Sequence, residues 1–168
     1  MAAGAYRAWA AAIRDGKNAL LIAADNATVA ALNDQARADR FTAGEVEAGG
    51  ARLHDGTSAG VGDVVVTRAN NREVRTSSGA WVRNGDLWTV TARDDDGSLT
   101  VQRTRRRRGS RTSRSTVRLP ADHVAAHVEL GYATTAHRAQ GMTVDVAFTI
   151  LRPGMSRETA YVAMTRGR

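Results

Sequence analysis

Ala19-Leu-Leu-Ile-Ala-Ala24 is an unbroken apolar run of strand length, followed at once by Asp25-Asn26 and then by Val29, Leu32 and Ala36 at helical spacing. A strand that is apolar at every position suits burial on both faces, the usual setting of a parallel strand. Asp or Asn ahead of a periodic stretch supplies the acceptor that a helix start lacks. The segment therefore predicts a strand feeding a helix that runs through about Arg40, the repeat unit of an α/β sheet. Upstream, Tyr6, Trp9, Ala10 and Ile13 form one apolar stripe, which predicts a helix ended by Asp15-Gly16.

The period changes in the middle of the chain. Val61–Thr67, Trp81–Thr91, Ser98–Gln102 and Thr116–Leu119 read as short strands, separated by the turn-forming clusters Asn70-Asn71, Ser77-Ser78-Gly79, Asn84-Gly85 and Asp94-Asp95-Asp96-Gly97. Several short strands in so short a stretch suggest a small antiparallel barrel. From Val124 the strand and helix pattern returns: Gly131–Ala136 and Val144–Leu151 read as strands, and Ser156 is placed to cap a helix through about Arg166. The order predicts an α/β domain in two pieces, 1–54 and 123–168, interrupted by a β-barrel insertion at 55–122.

The chain has 168 residues, of which 42% are hydrophobic and 24% charged, proportions that support one ordinary domain or two small ones. With no cysteine, a disulfide framework and thiolate metal sites are excluded. The net charge of +7 is carried almost wholly by arginine, Lys17 being the only lysine. Arginine's fixed fork suits phosphate, so a polyanionic partner gains weight, although a composition bias toward arginine gives the same charge. No stretch reads as an export signal or a membrane span, so the chain is expected to be cytoplasmic with no membrane partner.

Arg103–Arg118 holds eight arginines and no acid. Between two strands it would form a long solvated loop whose like charges repel unless a polyanion lies beside it. Arg105, Arg106, Arg107 and Arg108 are the candidates for sequence-independent, salt-sensitive phosphate contacts, the alternative being a hairpin tip with no ligand. Trp81 and Trp88 are candidate base-stacking residues. Their odd spacing puts them on opposite faces of a continuous strand, unless a turn at Asn84-Gly85 breaks that parity. His123 and His127 share a helix face but lack the glutamate and third ligand of a zinc site.

Two motifs close the chain: Thr135-x-His137-x-x-Gln140-Gly141 in the phrase His137-Arg-Ala-Gln-Gly-Met-Thr-Val-Asp145, and Tyr161-Val-Ala-Met-Thr165-Arg166 after an apolar strand. Together they resemble motifs V and VI of superfamily 1 helicases, most nearly the UvrD/RecD-type C-terminal domain of MobF/TrwC-type conjugative relaxase-helicases. Leu20–Asp25 with Leu32-Asn33 and Arg37 is similar to the start of that family's second RecA-like domain, and the mid-chain strands resemble its SH3-like insertion. The resemblance implies an α/β, RecA-like (P-loop NTPase-like) parallel sheet interrupted by a small SH3-like β-barrel.

It also implies roles. Arg166 matches the arginine finger, which stabilises charge spread over the γ-phosphate oxygens during phosphoryl transfer. Thr135 and His137 would meet single-stranded DNA, while Gln140 and Gly141 would face the nucleotide. Relatives place Glu where this chain has Thr143, and Asp145 is no obvious substitute for a ribose contact.

No Gly-x-x-x-x-Gly-Lys-Ser/Thr occurs, and Lys17 lies in Asp15-Gly-Lys-Asn18, which is not a phosphate loop. No acidic motif for Mg²⁺ is evident, nor the histidine cluster or tyrosine pair of a relaxase nickase. The chain alone is therefore not expected to hydrolyse ATP. Two readings stay open: a C-terminal motor-domain fragment that works with ATP and Mg²⁺ beside a Walker-A-containing RecA-like domain in cis or trans, or a non-catalytic single-stranded nucleic-acid-binding module or decayed helicase fragment.

Overall fold

The computed structural model describes residues 2–103, 115–140, 142 and 144–150. In chain order the elements are α1 (Ala2–Arg14), β1 (Ala19–Ala23), α2 (Asn26–Thr42), β2 (Ala51–Arg52), β3 (Ser58–Ala59), β4 (Val64–Thr67), β5 (Asn71–Arg75) and β6 (Trp81–Val82). They continue with β7 (Leu87–Arg93), β8 (Leu99–Arg103), β9 (Thr116–Leu119), α3 (Ala121–His127), β10 (Val128–Leu130), β11 (Ala133–Thr135) and β12 (Val146–Thr149). They fall into two compact units: the described residues of Met1–Ala36 and Tyr132–Arg168, and those of Arg37–Gly131.

The first unit is built on a parallel sheet of order β11-β1-β12. Strand β1 is the central strand, and as the apolar run predicts it is parallel to its neighbours with Leu20, Leu21, Ile22 and Ala23 all buried. Residues hidden on both faces of a sheet need covering helices. Helix α1 supplies one through Tyr6, Trp9 and Ala12, while Ala10 and Ile13 of the expected stripe are only half-buried. Trp9 packs edge-on against Tyr132, and its indole N–H donates to the carbonyl of Ala19 at 3.1 Å. The start of α2 is held as expected: Asp25 accepts from the Thr28 N–H at 2.7 Å and from its hydroxyl at 2.9 Å. This mixed α/β arrangement on a parallel sheet fits a RecA-like domain.

The second unit is centred on a five-stranded antiparallel sheet, β10-β4-β7-β8-β9, with the short ribbons β2–β3 and β5–β6. No ladder joins β9 to β10 among the described residues, so the expected closed barrel is not formed there. The edge strand β10, for which the sequence offers no local signal, pairs with β4 and lies beyond the 55–122 span expected for the insertion. Gly131, which ends the unit, sits where a Cβ would come within 3.0 Å of the Val65 main chain, so the close approach needs a glycine. The expected strand Trp81–Thr91 is cut in two by the turn at Asn84-Gly85, where Gly85 takes φ +86. Trp88 is consequently a core residue at 0% exposure, whereas Trp81 on the ribbon stays partly open to solvent.

Candidate functional site

Open parallel sheets present ligand-binding groups beyond the carboxyl ends of their strands. In the first unit that edge is marked by Ala23, which pairs with Thr135 at the end of β11. Beyond Thr135 the chain makes a tight turn: the N–H of Ala139 donates to the Thr135 carbonyl at 2.9 Å and that of Met142 to the Ala139 carbonyl at 3.0 Å. The Arg138 N–H donates to the Thr135 hydroxyl oxygen at 3.3 Å. Ala136, Ala139, Met142 and Val144 are buried, and the polar residues between them, His137, Arg138 and Gln140, are exposed. Small apolar anchors thus hold the turn down and leave an imidazole, a guanidinium and an amide facing solvent. Three of the expected residues, Thr135, His137 and Gln140, are brought together here. Arg138 joins them, although the motif resemblance assigns it no role; its small buried neighbours Ala136 and Ala139 were the available signal.

The strand that carries this turn is pinned from its outer side. Asn33 of α2, 6% exposed, accepts from the Ala133 N–H at 2.8 Å and its amide nitrogen reaches the Ala133 carbonyl at 3.5 Å. On the inner side the Leu21 N–H donates to the Tyr132 carbonyl at 3.1 Å. A buried main-chain pair at a sheet edge must be satisfied by something, and here a side-chain amide does it.

Asp145 is used elsewhere. Its carboxylate accepts from the Asn18 N–H at 2.9 Å, and its own N–H donates back to the Asn18 carbonyl at 2.9 Å. This clamp joins the starts of β1 and β12, since Ala19 pairs with Val146. Four residues of strand separate that level from Thr135, roughly 13 Å. Asp145 therefore stands at the opposite edge of the sheet from the turn, with its carboxylate already engaged.

Gly141, Thr143, Arg166 and the arginines Arg105, Arg106, Arg107 and Arg108 lie outside the described residues. The residues flanking the arginine-rich stretch are described: the Arg103 N–H donates to the Ser115 carbonyl at 3.0 Å. The exposed turn offers hydrogen-bond donors and no carboxylate, which suits phosphate-bearing ligands rather than a cation. Among the described residues no cluster of three His, Asp or Glu side chains is placed to hold a metal ion. His123 and His127 do share a face, with ring centroids 5.3 Å apart. Burial first, and then His127, hold the His123 imidazole below its ordinary value of 6.5, against an opposing pull from Asp122.

No protein-family model matches the chain. Two curated proteins of Mycobacterium tuberculosis, the uncharacterized proteins MT2373 and Rv2311, are each 38% identical over 87 residues, covering 52% of this chain and 47% of theirs. Solved structures of Pif1 helicases resemble the chain in fold. The Bacteroides enzyme in complex with ADP-AlF3 and ssDNA gives a TM-score of 0.54 at 19% identity, over 89% of this chain and 38% of that one. The Candida albicans enzyme gives 0.53 at 14%, over 89% and 43%. The chain thus spans about half the length of the curated relatives it matches and about two fifths of the Pif1 chains. At these identities the likeness is one of fold: the chain shares a helicase-like architecture with the matched part of the Pif1 enzymes.

Proposed function

We propose that the chain is the second motor domain of an ATP-dependent superfamily 1 DNA helicase or translocase, of the UvrD/RecD-like kind found in conjugative relaxase-helicases. The observation that carries this reading is the turn beyond β11, which exposes His137, Arg138 and Gln140 at the carboxyl end of a parallel strand. Thr135 and His137 then contact the phosphates of single-stranded DNA; because the Thr135 oxygen accepts from Arg138, its own proton is left to donate. Gln140 and Gly141 face the nucleotide. Arg166 reaches, as an arginine finger, toward the γ-phosphate of ATP held by a Walker-A-containing RecA-like partner, in cis or trans. That partner also carries the Mg²⁺. The inserted antiparallel sheet serves as an SH3-like module whose Arg105–Arg108 grip the backbone, and the machine works in the cytoplasm. The Pif1 structures with ssDNA support the reading by fold alone.

The test is Arg166→Ala in the protein that contains both motor domains. DNA-stimulated ATP turnover should fall by about 10³-fold or more, with nucleotide affinity largely kept. Unchanged turnover would remove the finger assignment. The arginine-rich stretch at 103–118 also accords with a second reading, a non-catalytic single-strand-binding module. Under that reading a partner domain restores no ATP turnover, while oligonucleotide affinity still falls steeply with salt.

A further inference from the structure

In the second unit most of the described arginines are held by a carboxylate, and Arg103 also stacks on the buried Trp88 ring. Arg37, Arg40, Arg68, Arg93, Arg103 and Arg118 each pair with a carboxylate at 2.9–3.1 Å. Arg72 and Arg83 have no carboxylate partner among the described residues. Their guanidinium carbons instead lie over the Trp81 ring, 5.5 and 4.9 Å from its centroid. Both arginines are exposed and Trp81 is half-buried, so part of the indole is open to solvent.

The cluster is held in place by its main chain. Trp81 pairs with Arg75 across the β5–β6 ribbon, and the Arg83 N–H donates to the Asp86 carboxylate at 3.0 Å. The Asn84 N–H donates to the Asn70 side-chain oxygen at 2.9 Å. At the ribbon's tip the Ser77 N–H donates to the Thr116 carbonyl at 2.8 Å, and the Thr116 N–H returns to the Ser77 hydroxyl at 3.1 Å. The ribbon tip is therefore bonded to the point where the chain rejoins the sheet after residues 104–114, a stretch with six arginines.

We propose that Trp81, Arg72 and Arg83 form a stacking platform for an unpaired nucleotide, the indole taking the base and the guanidinium groups its phosphates. Indole and guanidinium planes both stack on bases, and a guanidinium with no carboxylate forks readily onto phosphate. The acids near the cluster are Glu73 of β5 and Asp86, and the Asp86 carboxylate is already paired with Arg103 at 2.9 Å, so Arg72 and Arg83 are opposed by Glu73 alone. The platform extends the reading of a single-strand-binding protein, but it uses residues distinct from the turn at 135–140.

The test is a titration of the full chain at low salt with oligo-dT, followed by fluorescence anisotropy of the oligonucleotide and by tryptophan emission. Trp9 and Trp88 are buried at 2% and 0% exposure, so a change on stacking reports mainly on Trp81. Oligo-dT should quench the emission. An abasic oligonucleotide of the same length should bind without quenching. Trp81→Ala should weaken oligo-dT binding by roughly 5- to 150-fold, the loss of one stacked base, whereas Trp81→Phe should keep most of the affinity. Paired Arg72→Gln and Arg83→Gln should reduce the salt dependence of binding. Binding of oligo-dT and the abasic strand with equal affinity and no quenching would overturn the platform and leave the single-strand reading standing. If the wild-type chain binds neither strand, both ideas fall. If Trp81→Ala does not fold, the comparison of the two strands on the wild-type chain decides.

Discussion

The two units hold themselves together by different means. The parallel unit relies on apolar packing around β1, with a single buried amide, Asn33, finishing the edge of β11. The antiparallel unit adds a buried ion pair to an apolar core that includes Val65, Trp88, Leu99 and Leu119: Arg37 reaches the fully buried carboxylate of Asp63 at 2.9 Å and also donates to the carbonyls of Glu47 and Gly49. Asp63 in turn accepts from the Gly60 N–H at 2.9 Å. Buried polar groups that are fully partnered help hold the surrounding loops in one arrangement.

This contrast can be broken most directly at Arg37. Removing this cation takes the Arg37 ion pair from a buried carboxylate, so Arg37→Met should cost about 3–5 kcal/mol in urea unfolding. A loss no larger than that of an exposed pair would show that Asp63 is not held by this partner. Asn33→Ala tests the other unit and should cost less, about 1–3 kcal/mol, because it leaves one main-chain pair at Ala133 without a partner. The same change should loosen the turn at 135–140, seen as faster amide exchange there; unchanged exchange would mean that the edge amide does not position the turn. The smallest effect is a pH dependence. His123 has its basicity lowered in the folded protein, so the unfolded chain binds more protons once the pH drops below about 6.5. Its stability contribution is complete above that value and declines as pH falls toward the lowered folded value. His127, Asp122 and Asn71 are the groups facing it. Melting temperatures at pH 7.5 and 5.5 should differ more for the native sequence than for His123→Gln, and equal differences would exclude this histidine as the source.

Much of the architecture could be read in advance, for identifiable reasons. The apolar run at 19–24 is long enough to announce a doubly covered strand, and Asp25 sits where a cap is required. The turn residues Asn84-Gly85 and Asp94–Gly97 mark the break between β6 and β7 and the β7–β8 hairpin, because left-handed backbone favours glycine there. What escaped were features with no local period. Strand β10 is Val-Glu-Leu, too short to alternate convincingly, and it follows α3 with no intervening breaker. Arg37 and Asp63 lie 26 residues apart, and nothing nearby pairs them. For the site, the motif spacing located Thr135, His137 and Gln140, but the exposure of Arg138 follows from which neighbours are anchored, a property of packing. The stacking of Arg72 and Arg83 on Trp81 required the ribbon to exist first.

The strand order of the parallel sheet has a consequence in time. Strand β1 lies between β11 and β12, and Leu21 must wait for Ala133 and Phe148 before either edge is paired. During synthesis, at about 5–20 residues per second, that wait lasts roughly 5–20 s. For that interval Leu20, Leu21 and Ile22 form an apolar strand with neither sheet neighbour yet made, and an unpaired apolar edge invites other chains. Helix α1 is already complete by then, and its Trp9 contact with the Ala19 carbonyl is the first native interaction available to shelter the strand.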